Sequence, residues 1–524
     1  MTKDEAPPKL SLFATTAILC TWSTTSSNVM YPFCYATLGL VLGPLLMMLT
    51  QAVMCGTAVV VVEAAQASGA TTLGELGFAL GGERGRTALR AVQLANQILF
   101  MPSALVLSAE GVRQIAQVAL DCGSEANLDA GAASACSWWA CHINSLLLMS
   151  VLAWPLLLGA RDFHGHALVS LATLSCGLIV VQTASFVIAA FVDTPIGVTY
   201  EEPNLFGPVA GASWVNIIAA VAVFPWSFAP LFIAVEVQAS MARPAEMRTA
   251  LLAAWLLPSL AVYLPTGAAL AALWGANVPD PVTDALPADG LSVVSLAVLT
   301  YSCLLDFVLA GTVVNGEVQR TFFPDAVARG AGAPAEGASR AEQARFWLRS
   351  LPQWMLITLP SLLPSLVIAL LVPDFQTMAS LTGVITIPWI SMFAPPLLLL
   401  LMRAPALPPP QQQQLQQGGQ QQKLRQTNLA GRIMGSLVGQ PSEALELASA
   451  DEDDGGGGGW ANGALWAVAS GERRVLSCVP TRPLLMASMV LACGLFVSIF
   501  AEAIDSITTL TYSGSTYWCD EVGA

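Results

Sequence analysis

Eleven apolar stretches run through this chain, and the charges between them are sorted. When the connecting segments are assigned alternately to an inner and an outer side, starting inside, Arg113 is the one residue among 21 Lys and Arg that falls outside. That asymmetry is the mark of a chain threaded repeatedly through a bilayer, with its basic loops held on the cytoplasmic face. A water-soluble fold has no physical reason to separate charge by odd and even loops. Charged residues make up 11% of the chain and apolar ones 55%, so much of the surface must meet lipid. The hydrocarbon core is about 30 Å thick and takes a helix of about 20 apolar residues to cross it. The sequence therefore predicts an all-α membrane protein with eleven transmembrane helices.

The spans are placed at 11–36, 38–62, 88–116, 141–160, 166–192, 212–238, 247–275, 291–314, 353–372, 376–402 and 483–509. Residues 1–10 form a cytoplasmic tail, and 11–402 form a core of ten helices. Residues 403–482 form a Gln- and Gly-rich cytoplasmic linker, 483–509 the eleventh helix, and 510–524 a tail outside. The linker runs from Pro408-Pro409-Pro410 through Gln411 to Gln422 to Gly455–Gly459, and is expected to be disordered because it has too little apolar surface to offset its chain entropy. The first apolar segment is too long and too polar at its centre to be a cleaved signal peptide. The membrane is the plasma membrane or an internal one such as the vacuole. The net charge of −14 arises from outer loops and from Asp451-Glu452-Asp453-Asp454, and no pattern suggests nucleic-acid binding. Cys122, Cys136 and Cys141 fall outside, where a Cys122–Cys136 or Cys122–Cys141 disulfide is open to them.

Chemistry is expected where a span is interrupted, because irregular backbone at membrane depth survives only where it lines a cavity. The first span is polar at Thr25-Ser26-Ser27-Asn28-Val29, shortly before Pro32, and the sixth carries Phe224-Pro225-Trp226-Ser227-Phe228-Ala229-Pro230. Proline removes an N–H donor and disfavours helix in the turn before it, so Pro32, Pro225 and Pro230 are expected to break these helices. Either break alone reads as a proline kink. Two breaks five spans apart point instead to an inverted-repeat transporter with its site at mid-membrane. A half-helix N-terminus suits a carboxylate and freed carbonyls suit an ammonium group or a cation, so an amino-acid zwitterion fits both. The expected binding residues are Thr25, Ser26, Ser27, Asn28, Val29, Phe224, Trp226, Ser227 and Phe228.

Asp306 is the one acid placed deep within a span, the eighth. It is the candidate for proton coupling; pairing with a cation and facing a wet vestibule near Asn315 remain alternatives. Glu63 and Glu236, at inner span ends, are expected to reach water, with gating or interfacial roles as the alternative, and Asn96 and Gln97 to bond a neighbouring helix rather than line the pocket. The three histidines, His142, His164 and His166, form no ligand set, and no CxxC, HExxH, GxSxG or P-loop pattern is present. No enzyme, metal or cofactor is therefore expected. A seven-span receptor fails on span count, and an intramembrane hydrolase would need a paired acid or His constellation.

Tyr31-Pro32-Phe33-Cys34-Tyr35-Ala36 followed by Leu38-Gly39-Leu40-Val41-Leu42-Gly43-Pro44 resembles the first-span signature of the amino acid/auxin permease family, within the amino acid–polyamine–organocation transporter superfamily. Trp154-Pro155-Leu156, then Glu236, Met241 and Pro244, then Tyr263, Gly267, Trp274 and Gly275, then Pro373-Asp374-Phe375 with Leu381-Thr382-Gly383 resemble later family passages in order. The resemblance implies a five-plus-five inverted-repeat (LeuT-like) core plus one extra helix. It also implies uptake of amino acids or similar solutes coupled to a proton or sodium ion by alternating access. Where the family carries Gly-x-Gly, this chain has Thr25-Ser26-Ser27, which puts side chains where bare backbone would approach a ligand. A transport-inactive amino-acid sensor on the same fold is the alternative that this departure suits.

Overall fold

Backbone surrounded by hydrocarbon must satisfy its own hydrogen bonds, and the described residues do so mainly with helices. The computed structural model describes residues 9–372 except 25, 121–137, 140, 162, 164, 193–201, 203, 209–213, 276–277, 279–280, 287–288 and 324–339, together with 375, 378, 379, 382, 387 and 391. The eleventh span, the linker before it and most of the tenth span lie outside the described residues, as do Cys122 and Cys136.

The first span is split into α1 (Leu12–Thr24), a short 3-10 turn (Ser27–Val29) and α2 (Tyr31–Leu38). Next come α3 (Leu42–Ser68), α4 (Leu73–Ala119), α5 (His142–Gly159) and α6 (His166–Val192). The sixth span is split into α7 (Trp214–Ser227) and α8 (Leu231–Ala239). The seventh is α9 (Met247–Pro258) and α10 (Leu264–Trp274), joined through a π-helical turn at Ser259–Tyr263. Then follow α11 (Gly290–Phe322) and α12 (Arg340–Leu371). Among the described residues, eight helical stretches are long and apolar enough to cross a membrane, and Leu12–Thr24 is a shorter apolar helix beside them. Exposed side chains such as Leu45, Leu49, Val151, Phe191 and Leu363 give these helices a lipid-compatible outer surface.

Two features depart from a plain reading of the sequence. The segment between the second and third spans is helical where a loop was expected. Gly69, at φ 68, ends α3, and Thr72 caps α4 by accepting from Glu75 N, while Glu75 reaches back to Thr71 N at 2.8 Å. The α4 helix then turns sharply at Gly81 and Gly82 (φ 61). This folds residues 73–80 back along the rest of α4, with Gly77 and Gly85 backbone to backbone; a Cβ on either would collide with the other's carbonyl. The second departure is Pro225, expected to break the sixth span. It stands inside α7, which forgoes one intrahelical bond there and continues to Ser227. Pro230 instead occupies the N-cap of α8, and Pro32 the first turn of α2, positions where a missing N–H costs nothing.

Loops assigned to one side of the membrane meet on that side. Leu10 pairs with the turn after α8, with Leu10 N donating to Ser240 O and Ala242 N to Leu10 O, both at 2.9 Å. At the opposite end, Leu40 N and Val41 N donate to Asn204 O and Leu205 O, each at 2.9 Å. On the basic face, Glu317 of α11 pairs with Arg90 of α4 and with Arg320, each at 2.5 Å. Arg113, the one cation that the charge sorting assigns to the outer side, is held by Glu110, itself 3.8 Å from His142 Nδ1.

Candidate functional site

The two interruptions lie side by side in the core. α1 ends at Thr24, where its last carbonyls are taken up by hydroxyls: Ser27 Oγ donates to Ser23 O at 2.9 Å, Thr24 Oγ1 to Cys20 O at 2.6 Å, and Tyr263 Oη also bonds Ser23 O. Trp22 Nε1 donates to Ala229 O at 3.0 Å, which ties α1 to the unwound turn between α7 and α8. A second tie runs through Gln51 of α3. Its Nε2 donates to Tyr31 Oη (2.7 Å) and to Ser227 Oγ (3.1 Å), and its Oε1 accepts from Ser259 Oγ (2.7 Å). Tyr31 Oη and Ser227 Oγ are themselves 2.5 Å apart. The Tyr31 ring stacks on Tyr263 at 4.2 Å and on Phe224 at 5.9 Å. One polar and aromatic cluster thus joins spans one, two, six and seven.

Around the breaks is an aromatic chain, in which Trp22 meets Phe100 of α4 at 4.7 Å, Phe100 meets Trp226 at 6.1 Å, and Trp226 meets Phe375 at 5.9 Å. Within this shell, polar groups are left over. Asn28 is 0% exposed, yet neither its Oδ1 nor its Nδ2 has a hydrogen-bond partner, and Trp226 Nε1 is likewise buried and unbonded. A buried polar group left unmet costs about 1–3 kcal/mol. Buried groups of this kind are what a polar ligand between the breaks would satisfy.

The residues expected at the site divide into two sets. Asn28 and Trp226 offer free polar atoms. Ser27 and Ser227 are engaged within the protein, and Phe224 and Phe228 are buried in the core. Ser26 precedes the 3-10 turn and Val29 ends it, both buried; Thr25 lies outside the described residues. Asp306 of α11 is fully buried and within electrostatic reach of Tyr263. Gln97 donates to Phe232 O of α8 at 3.3 Å. Glu236 does not reach water: the folded-back arm of α4 and Gln93 cover it. Cys141 is disulfide-bonded, whereas Cys20, Cys34, Cys55, Cys176 and Cys303 stand outside any disulfide. Among the described residues no group of three or more His, Cys, Asp or Glu converges to hold a metal. The sequence reading missed Gln51, Ser259 and Phe100; a polar residue within an apolar span was the available signal for the first two.

The described hydrogen bonds between spans fall largely into two sets. One set joins spans one, two, six and seven, as above. The other joins the remaining spans: Ser175 with Ser302 (3.2 Å), Tyr301 with Leu171 O (2.9 Å), Trp154 with Thr358 (3.1 Å), Ser361 with Asn315 (3.0 Å) and Thr382 with Leu99 O (3.1 Å). Hydrogen bonds between helices of the two sets gather at two places. Span one meets span five through Thr21 with Ala172 O and Cys176 with Ala17 O. Span six meets span three and the arm before it through Glu236, Gln93 and Gln97.

No curated protein matches the sequence. Among solved structures, the chain is similar to MhsT, crystallised in complex with L-phenylalanine, with a TM-score of 0.53 at 11% identity, over 95% of this chain and 100% of that one. MhsT has the LeuT fold, so the paired breaks stand in a known architecture. The profile of the family described as transmembrane amino acid transporter protein matches residues 10–413. The chain is therefore a multi-pass membrane protein of the transmembrane amino acid transporter family.

Proposed function

We propose that this protein is a secondary active transporter of amino acids or closely similar solutes, working by proton-coupled symport and alternating access. The observation that carries the reading is the pair of breaks with Asn28 and Trp226 unsatisfied between them. A zwitterion bound there would meet N–H groups at the start of α8, unwound carbonyls, and the free atoms of Asn28 and Trp226. The two sets of hydrogen bonds support a rigid bundle of spans one, two, six and seven that rocks against the remainder. Asp306, fully buried and within electrostatic reach of Tyr263, is the proposed proton carrier, because an ionised acid at that depth is costly unless paired or hydrated and so marks a functional candidate. The full chain is read as eleven spans in a five-plus-five repeat plus one, with the N-terminus cytoplasmic. The sensor alternative has no observation in its favour.

The test is uptake of a panel of labelled amino acids in a transport-deficient cell with imposed ion gradients. An inward proton gradient should raise uptake, and Asp306→Asn should remove that stimulation. Uptake indifferent to both proton and sodium gradients would sink symport, and an Asp306→Asn variant with unchanged pH dependence would remove Asp306 from the mechanism.

A further inference from the structure

Glu236 lies in the last turn of α8, on the arginine-bearing side of the protein, and only 7% of its surface is exposed. Its Oε1 accepts from Gln93 Nε2 at 2.8 Å and from Leu73 N at 3.4 Å, and no donor reaches Oε2. Gln93 Nε2 also donates to Phe232 O at 2.8 Å, and Gln97 Nε2 to the same carbonyl at 3.3 Å. These bonds run from span six to span three and to the arm that α4 folds back over it. They therefore cross from the proposed rocking bundle to the rest of the protein, and an opening on this side must break them.

The carboxyl at this junction is poorly equipped to be ionised while the junction is shut. Its bonded partners are neutral, one oxygen has none, and water is excluded, which together penalise a charge by several kcal/mol. The charged groups on the elements packed around it are accounted for. α1 carries none, α8 carries Glu236 alone, and on α3 there is Glu63, within electrostatic reach of Arg248. On the near half of α4, Glu75 is bonded to Thr71, Arg84 is exposed, Arg86 is paired with Glu83, and Arg90 is paired with Glu317 of α11. Arg320 of α11 is within electrostatic reach of Glu236 and favours its ionised form, but its guanidinium is bonded to Glu317.

We propose that Glu236, Gln93 and the backbone of Phe232 and Leu73 form a proton-operated latch on the cytoplasmic side, shut while the Glu236 carboxyl is neutral and released when it ionises. The proton leaves to cytoplasmic water as the latch opens, and the bared carboxylate is then hydrated and faces Arg320. Acid on that side therefore holds the latch shut, and the ratio of open to shut changes by up to about tenfold per pH unit for one proton released. The proposal rests on the transport reading, adding to it a control by internal pH that is separate from the role given to Asp306.

The test is initial uptake by cells expressing the full chain, at one external pH, with cytosolic pH clamped at successive values. Wild-type uptake is expected to fall as the cytosol is acidified, approaching a tenfold loss per pH unit. Glu236→Gln keeps the neutral form and the accepting oxygen, so it is expected to be slow and to keep only the shallower pH dependence that the proton gradient itself imposes. Gln93→Leu removes the latch donor and is expected to stay active with the pH response flattened, which separates release of the latch from failure to fold. Wild-type uptake indifferent to cytosolic pH, or either variant keeping the wild-type pH profile, overturns the latch while transport stands. No uptake by the wild type overturns both.

Discussion

At the scale of single residues, the site is organised by side chains that satisfy several neighbours at once. Gln51 does most of this: its amide orientation is fixed because Ser259 donates to Oε1, which leaves Nε2 for Tyr31 and Ser227. Gln51→Leu would leave these groups buried without their partner, at a cost of about 1–3 kcal/mol. Gln51→Leu is therefore expected to raise the KM for uptake by roughly 10-fold or more while surface expression is retained. A variant with wild-type KM would show that the cluster does not set the geometry of the breaks. Little of this was legible beforehand. Gln51 is 176 positions from Ser227 and 208 from Ser259, and no local pattern in a sequence encodes such a meeting. Glu236 was misread for a similar reason. Its place at a span end suggested water, but the arm folding over it is a tertiary event.

At the scale of elements, the breaks were the legible part, because proline acts on its own backbone. Pro32 and Pro230 each stand at the start of a half-helix, where their chemistry is local. Pro225 shows the limit of that logic, since a membrane helix tolerates a lost bond when neighbours pack around it. The arm at 73–80 had a readable start in Thr72-Leu73-Gly74-Glu75, a capping box, yet its fold-back depends on Gly77 meeting Gly85. Gly85→Ala is expected to destabilise the protein by about 1–3 kcal/mol, because the added Cβ meets backbone that cannot move aside cheaply. Gly56→Ala on α3, where a Cβ meets nothing, is the matched control and should melt no lower than the wild type. Thermal melts of the purified proteins that coincide for all three would contradict the close approach.

At the scale of the whole molecule, charge sorting and hydrogen bonding describe the same object from two directions. The sorting assigns loops to sides, and the Leu10–Ser240 and Leu40–Asn204 pairings join loops assigned alike. With Cys20 and the other native thiols blocked, a cysteine placed at Lys3 should react with an impermeant reagent only from the cytoplasm, and one at Arg113 only from outside. Equal reactivity from one side would contradict the assigned parity. The hydrogen bonds add what the sorting does not contain, namely which spans are bonded to one another.

The central claim is that an amino acid binds between the two broken spans and is carried across. Counterflow of the substrate found in the uptake panel, measured with purified protein in proteoliposomes, tests this most directly. Wild type should exchange internal for external substrate. Asn28→Ala, which removes two unmet polar atoms from the site, should raise the KM by roughly 10- to 100-fold. Exchange by an Asn28→Ala variant with the wild-type KM, or no exchange of any amino acid by the wild type, would contradict the account.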